Sequence, residues 1–189
     1  MTTEIAILDA AYALYVREGV EGVSMRRVAS GLGITATALY RHYRGKDGLV
    51  AAIAERGFAD FSRALSRSPV AASPEGRVLQ ILDRYRAFAF RQPELFRLMF
   101  GMPRPGARRF PRDFEAHRSR VFDDLRTAVA GAMAKGVFPK GSSLEAALAL
   151  WAQAHGLITL YQAGRFTHRP REFAALYRRL LAGTWRKTR

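Results

Sequence analysis

The sequence predicts an all-α fold, and three features point to it. The stretch Ser24–Lys46 reads as two short helices joined by a tight turn. Apolar residues recur at helical spacing in segment after segment on either side of it. Ser143–Ala163 is apolar almost all the way round. A helix of that kind is buried on more than one side. The expected architecture is an N-terminal three-helix domain over residues 1–46, joined to a larger helical bundle over 47–189, with about nine helices in all.

Each element has its own signals. Glu4–Glu18 carries Ile7, Leu8, Ala11, Leu14 and Tyr15 as a broad stripe, and Gly19 follows where a helix commonly ends. Tyr12 and Tyr15 read as packing residues. Ser24 is an N-cap for Met25–Gly31, because its hydroxyl can accept from a free first-turn N–H. Leu32–Gly33–Ile34 breaks the pattern, with Gly33 able to take a positive φ. Thr35 is a second N-cap, for Ala36–Tyr43. Ala29 is small where two steeply crossed helices would nearly touch. Val28, Leu32, Ile34, Leu39 and Tyr43 are placed for a shared core, which leaves Ala36, Thr37, Tyr40, Arg41 and His42 facing outward. That is the layout of a helix-turn-helix whose second helix enters a DNA major groove. Arg26, Arg27 and Lys46 stand in first helical turns, where the helix dipole disfavours cations and a bound phosphate would favour them.

Gly45–Arg67 is a longer helix with Leu49, Ile53, Phe58, Phe61 and Leu65, and Ser68–Pro74 is a linker. Glu75–Arg91 buries Val78, Leu82, Tyr85, Phe88 and Ala89. Gln92–Pro93 breaks it and starts a short helix, Glu94–Phe100, because proline cannot continue a helix but begins one well. Gly101–Pro111 is a basic loop. Arg112–Lys135 reads as one long helix, with His117 one turn from Asp113 as a solvated ion pair. After a turn at Gly136–Gly141 come Ser143–Ala163 and the amphipathic Pro170–Lys187. These last two suggest a four-helix contact with a second copy of the chain, through Leu148, Ala149, Ala152, Gly156, Thr159, Leu176 and Leu180.

The residues GITATALYRHYRGKDGL, after VSMRRVASGL and ILDAAYALYVREG, resemble the DNA-binding domain of the tetracycline-repressor (TetR) family of bacterial regulators. The matching positions are Ala29, Gly33, Leu39–Tyr40, His42–Tyr43, Lys46 and Leu49. Arg27, where the family often has an acidic residue, departs from the pattern. LWAQAHGLITLYQAGRF, with Trp151, His155 and Gly156, resembles the C-terminal domain of a subgroup of that family. The resemblance implies a homodimeric regulator of double-stranded operator DNA. By it, Ala36, Thr37 and Arg41 would meet bases. Ser24, Tyr40, His42 and Lys46 would meet phosphates, with Arg26, Arg27 and Thr35 beside them. It also implies a small apolar or weakly polar effector, for which Tyr85, Phe88, Phe100, Met102, Trp151 and His155 offer aromatic walls and a polar end.

Composition narrows the alternatives. The 189 residues include no cysteine, which removes disulfides, thiol catalysis and Cys-based zinc sites. The four histidines show no close helical metal spacing, and no nucleophile elbow or phosphate loop is present, so neither an enzyme, a metal nor a cofactor is expected. The start lacks a basic n-region and no run spans a membrane, so a cytoplasmic location is expected. The formal charge of +15 suits a polyanionic partner. Only +2 of it lies in residues 1–46, so a general attraction to DNA belongs to the whole chain. The rival readings are a sequence-nonspecific architectural DNA-binding protein and an effector-free regulator.

Overall fold

The computed structural model describes residues 3–66, 71–101, 103–104 and 106–186. Among these it contains ten α-helices and no strand. They are α1 (Thr3–Gly22), α2 (Met25–Gly31), α3 (Ala36–Tyr40), α4 (Gly45–Ser66) and α5 (Pro74–Arg91). Then come α6 (Pro93–Phe100), α7 (Arg112–Glu115), α8 (Arg120–Ala134), α9 (Ser143–Gln162) and α10 (Pro170–Arg186). The chain forms two compact units: Met1–Asp60 with Gln92–Ala107, and Phe61–Arg91 with Arg108–Arg189.

In the first unit the apolar stripe of α1 places Ile7, Ala11 and Tyr15 in a core with Val28, Leu39, Leu49 and Ile53, all fully or almost fully buried. Gly19, with φ 69° and ψ −165°, interrupts α1 as its sequence position predicts. Tyr12 and Tyr15 pack as expected and also carry α6. The Tyr12 hydroxyl donates to Gln92 Oε1 (2.9 Å), and the Tyr15 hydroxyl donates to the Glu94 carbonyl (2.6 Å). At Gly57 a Cβ would lie 2.6 Å from Met99 Sδ and 3.0 Å from Leu95 Cδ1. Only glycine therefore lets α4 and α6 cross this closely without repacking.

In the second unit α5 packs on α8, α9 and α10, and α8 packs on α9. Leu82, Tyr85, Val129, Leu150, Ile158, Phe173, Tyr177 and Leu181 form its interior. Tyr177 is buried because its one polar atom has a partner: its hydroxyl donates to the Leu82 carbonyl at 2.8 Å. Trp185 stacks on Phe138 with ring centroids 4.5 Å apart.

Two segments differ from the sequence expectation. The second helix of the N-terminal pair stops at Tyr40, with Arg41 as its C-cap, rather than at Tyr43. The segment expected as one helix from Arg112 to Lys135 is broken into α7 and α8. Its break is held by Asp113, which is 4% exposed and accepts from the Arg109 N–H (2.7 Å), Arg112 Nε (3.2 Å) and Arg118 Nη1 (3.2 Å). His117 sits at φ 54° in that break and pairs with Asp123 (2.9 Å) instead of Asp113. The expected linker at 68–74 falls in part outside the described residues, as do Met102 and the expected helix end at Lys187. No helix among the described residues is long and apolar enough to cross a membrane.

Candidate nucleic-acid interface

The candidate reading head is built by local chemistry that the sequence spells out. Ser24 Oγ accepts from the Arg27 N–H, and Thr35 Oγ1 accepts from the Ala38 N–H, each at 3.2 Å. Each such cap contributes about 1 kcal/mol. Between them the turn closes on α2: the Ile34 N–H donates to the Ala29 carbonyl at 3.0 Å, and the Gly33 N–H donates to the Ser30 carbonyl at 3.2 Å. Gly33 has φ 65° and open space where a Cβ would be, so conformation rather than room selects glycine there.

This closure sorts the side chains. Met25, Val28, Ala29 and Leu39 are buried, and Leu32, Ile34 and Tyr43 are half-buried, so the expected inner face is the inner face. Thr35, Thr37, Tyr40, Arg41 and His42 are exposed, and Tyr40 leaves 57% of a large ring in solvent. Ser24 and Ala36 are half-buried. An open cleft of about 810 Å³ lies between α1 and α2, with Arg17, Ser24, Arg26 and Arg27 among its lining residues.

The cations of the head are not equivalent. Arg27 chelates the Glu18 carboxylate through both terminal nitrogens, with Nη2 at 2.7 Å, and donates to the Gly22 carbonyl at 2.9 Å. Its hydrogen bond holds the Glu18 carboxyl below the usual carboxylate range. The anion that offsets a cation in the first turn of α2 therefore comes from α1 as well. Lys46 reaches Glu21 at 3.3 Å. Among the described residues no ion pair engages Arg26, Arg41 or Arg44, and all three are exposed. Arg44 joins the candidate contacts on this ground. Its sequence signal is a basic residue just past the second helix, which the motif positions do not single out.

In the second unit Trp151 Nε1 donates to the Tyr85 hydroxyl (3.0 Å), which lies 2.8 Å from His155 Nδ1. The indole is a donor only, so the phenol accepts from it and shares a second hydrogen bond with the imidazole. Burial lowers the His155 pKa and raises that of Tyr85, which keeps both uncharged near neutral pH. Phe114 and Phe122 each stand 6.0 Å from the Trp151 ring, and Phe61 stacks 5.0 Å from Phe88. Helical spacing marks Phe122 and Phe61 as core positions and nothing more. Phe100 belongs to the first unit, where it meets Phe58 and Phe96. Met102 lies outside the described residues.

The side of α9 away from its buried Ala147, Leu150, Ala154 and Ile158 carries exposed Ala149, Ala152 and Thr159, with Leu148 and Gly156 half-buried. Leu160 and Leu180 are 48% and 39% exposed, and Leu176 is half-buried. A Cβ on Gly156 or on Gly183 would meet open space. Among the described residues no group of three or more His, Cys, Asp or Glu side chains is placed to hold a metal ion.

Known proteins share both parts of the chain. Residues 78–184 match the model of a tetracyclin repressor-like C-terminal domain, and residues 7–53 match that of bacterial regulatory proteins of the tetR family. The HTH-type transcriptional regulator Rv1816 of Mycobacterium tuberculosis is 26% identical over 136 residues, a match covering 70% of this chain. The chain spans 58% of that relative's length. The uncharacterized HTH-type transcriptional regulator Rv0681 of the same species is 24% identical over 185 residues, covering 97% of this chain and 82% of its own. A solved protein with unknown function from Rhodococcus sp. RHA1 superposes with a TM-score of 0.81 at 28% identity, over 98% of this chain and 95% of that one. The TetR family transcriptional regulator PfmR from Thermus thermophilus gives 0.63 at 20% identity, over 97% and 98%, a likeness of fold.

Proposed function

Because the chain belongs to the tetracycline-repressor (TetR) family, we propose that it is a DNA-binding transcriptional regulator, a repressor released from its operator by a small molecule. The observation that carries this reading is the exposed face of α3 and its flanks, where Thr37, Tyr40, Arg41 and His42 face solvent above a fully buried Leu39. Thr37 and Arg41 offer hydrogen-bonding groups to base edges, with Ala36 as an apolar contact. Ser24, Tyr40, His42, Arg26 and Arg44 are the phosphate-side groups.

A repressor of this kind acts as a homodimer, and the apolar side of α9 with Leu176 and Leu180 of α10 is the surface assigned to the second copy. Gly156 and Ala152 would permit close helix approach. The effector is a small neutral or weakly polar molecule held against Trp151, Tyr85 and His155, whose bonded polar atoms orient it. Binding there would alter the separation of the two heads, and operator affinity falls when that separation no longer matches the half-sites.

Selection of bound sequences from a random duplex pool tests the reading. A two-fold-related motif should emerge, with half-sites about one helical turn or a multiple of it apart. Its affinity should exceed that of random duplex at matched salt by about 10³ or more. Equal affinity for both would leave the architectural DNA-binding protein as the better account.

A further inference from the structure

The net charge of this protein lies outside the unit that holds its reading head. The unit containing α2 and α3 carries 9 Arg and Lys against 8 Asp and Glu, while the other carries 22 against 8, a formal +14. Part of that excess gathers at one place. The end of α5, the end of α9, the following turn and the start of α10 are pinned together by stacked rings. Phe90 stacks on Tyr161 (5.2 Å) and Phe173 (5.8 Å), and Phe166 meets Phe173 (5.3 Å). Gln162 Nε2 donates to the Ala89 carbonyl at 3.0 Å and ties α9 to α5 at the same level.

Four arginines lie within four residues of these rings in sequence. Arg91 follows Phe90, Arg165 precedes Phe166, and Arg171 lies two residues before Phe173. The fourth is Arg169, whose carbonyl accepts from the Phe173 N–H at 2.9 Å. All four side chains are exposed, and none has an ion-pair partner among the described residues. Of the two carboxylates close in sequence, Glu94 pairs with Arg97, and Glu172 accepts from the Arg169 N–H at 2.9 Å. Arg178, further along α10, has its charge met by Asp83 at 3.0 Å. Like charges on segments that the rings bring together repel one another, and a polyanion relieves that repulsion.

We propose that Arg91, Arg165, Arg169 and Arg171 form a second, sequence-independent binding surface for the phosphates of double-stranded DNA. It would add non-specific affinity to that supplied by the head unit, whose net charge is near zero. Four exposed guanidiniums suit a repeating phosphate backbone. The choice of DNA as the polyanion rests on the regulator reading above.

Fluorescence anisotropy of a labelled 30-bp random duplex across a salt series tests it on the full chain. The variant Arg91→Gln/Arg165→Gln/Arg169→Gln/Arg171→Gln should lose at least tenfold affinity at low salt. Its log–log salt slope should flatten by about 0.9 for each phosphate no longer neutralised. Replacing the same four positions with lysine should restore the slope. The head variant Thr37→Ala/Arg41→Lys, which alters the base-side groups and keeps the charge, should keep most random-duplex binding and lose operator preference. If the glutamine variant is misfolded by circular dichroism, Arg165→Gln and Arg171→Gln singly should each remove about 0.9 of slope. An unchanged slope, or loss of all random-duplex binding in the head variant, would overturn the proposal. So would preferential binding to phosphatidylglycerol vesicles through the same arginines. A wild-type protein without operator preference whose glutamine variants still lose slope would overturn the regulator reading alone.

Discussion

Arg27 is chelated by Glu18, and the pair joins the first turn of α2 to α1 rather than leaving a cation free for the DNA. Two adjacent arginines thus have different work. Arg27 braces the head, while Arg26, exposed and unpaired among the described residues, is available to a phosphate. Arg26→Ala should weaken binding to all sequences alike and flatten the salt slope by about 0.9, with Arg27→Ala changing the slope less. Arg41→Ala should cost about 1–3 kcal/mol and relax preference at one base position. A salt titration with a larger slope change for Arg27→Ala than for Arg26→Ala would reverse these assignments.

The head is legible in sequence because its signals are local. Ser24, Gly33 and Thr35 each act within three residues of themselves, and their hydrogen bonds and positive φ are where the sequence puts them. Leu39 and Val28 follow from periodicity alone. What escapes is non-local or aperiodic. Nothing in helical spacing says that Glu18 will reach Arg27, nine residues on, or that Glu21 will reach Lys46. The break after Glu115 is missed because Phe114 and Val121 stand seven residues apart, a helical repeat, and the polar run between them contains no proline or glycine. The carboxylate that gathers Arg109, Arg112 and Arg118 reads in sequence as an ordinary surface aspartate. Spacing places Tyr85, Trp151 and His155 on facing helices, but their hydrogen-bonded chain is a product of packing.

Asp113 gives the fold a defined acid response. Its hydrogen bond from Arg112, with that from the Arg109 N–H, lowers its pKa to about 2, against about 3.9 for an unfolded aspartate. A depressed carboxylate stabilises the folded state above the unfolded pKa, and the contribution disappears as pH falls through the folded one. Asp113→Asn should therefore lower the melting temperature at pH 7. The gap between variant and wild type should narrow from about pH 4 down to about pH 2. A gap that stays constant over that interval would show that the carboxylate charge is not what holds the α7–α8 break.

The apolar side of α9 predicts assembly. Ala152 is exposed, Leu180 is 39% exposed on α10, and Gly156 has room beside it. The double variant Ala152→Glu/Leu180→Glu leaves the buried faces of both helices untouched. It should sediment as a monomer with unchanged helicity. Operator affinity should drop by two or more orders of magnitude, because one head then binds one half-site without its linked partner. A wild-type monomer at micromolar concentration, bound to a full operator, would end the dimer assignment.

The effector reading makes the sharpest demand on Tyr85, whose hydroxyl is shared by an indole and an imidazole. The chain has two tryptophans, and Trp185 is occupied with Phe138, so the variant Trp185→Phe leaves Trp151 as the sole indole reporter of the site. A library of small neutral aromatics, screened for release of operator DNA, should yield compounds that shift or quench Trp151 emission with the same concentration dependence as release. Tyr85→Phe removes one oxygen without changing the ring, so it should preserve operator binding. It should weaken such a compound by about tenfold or more, because a group the ligand used for orientation is gone. Burial lowers the His155 pKa, so its imidazole resists protonation in the fold. Stability should accordingly fall as pH drops through the ordinary histidine range, where the unfolded chain takes up a proton that the folded chain refuses. Release of DNA with Trp151 emission and Tyr85→Phe affinity both unaltered would place the effector elsewhere. A screen in which no compound releases the operator would make this an effector-free regulator.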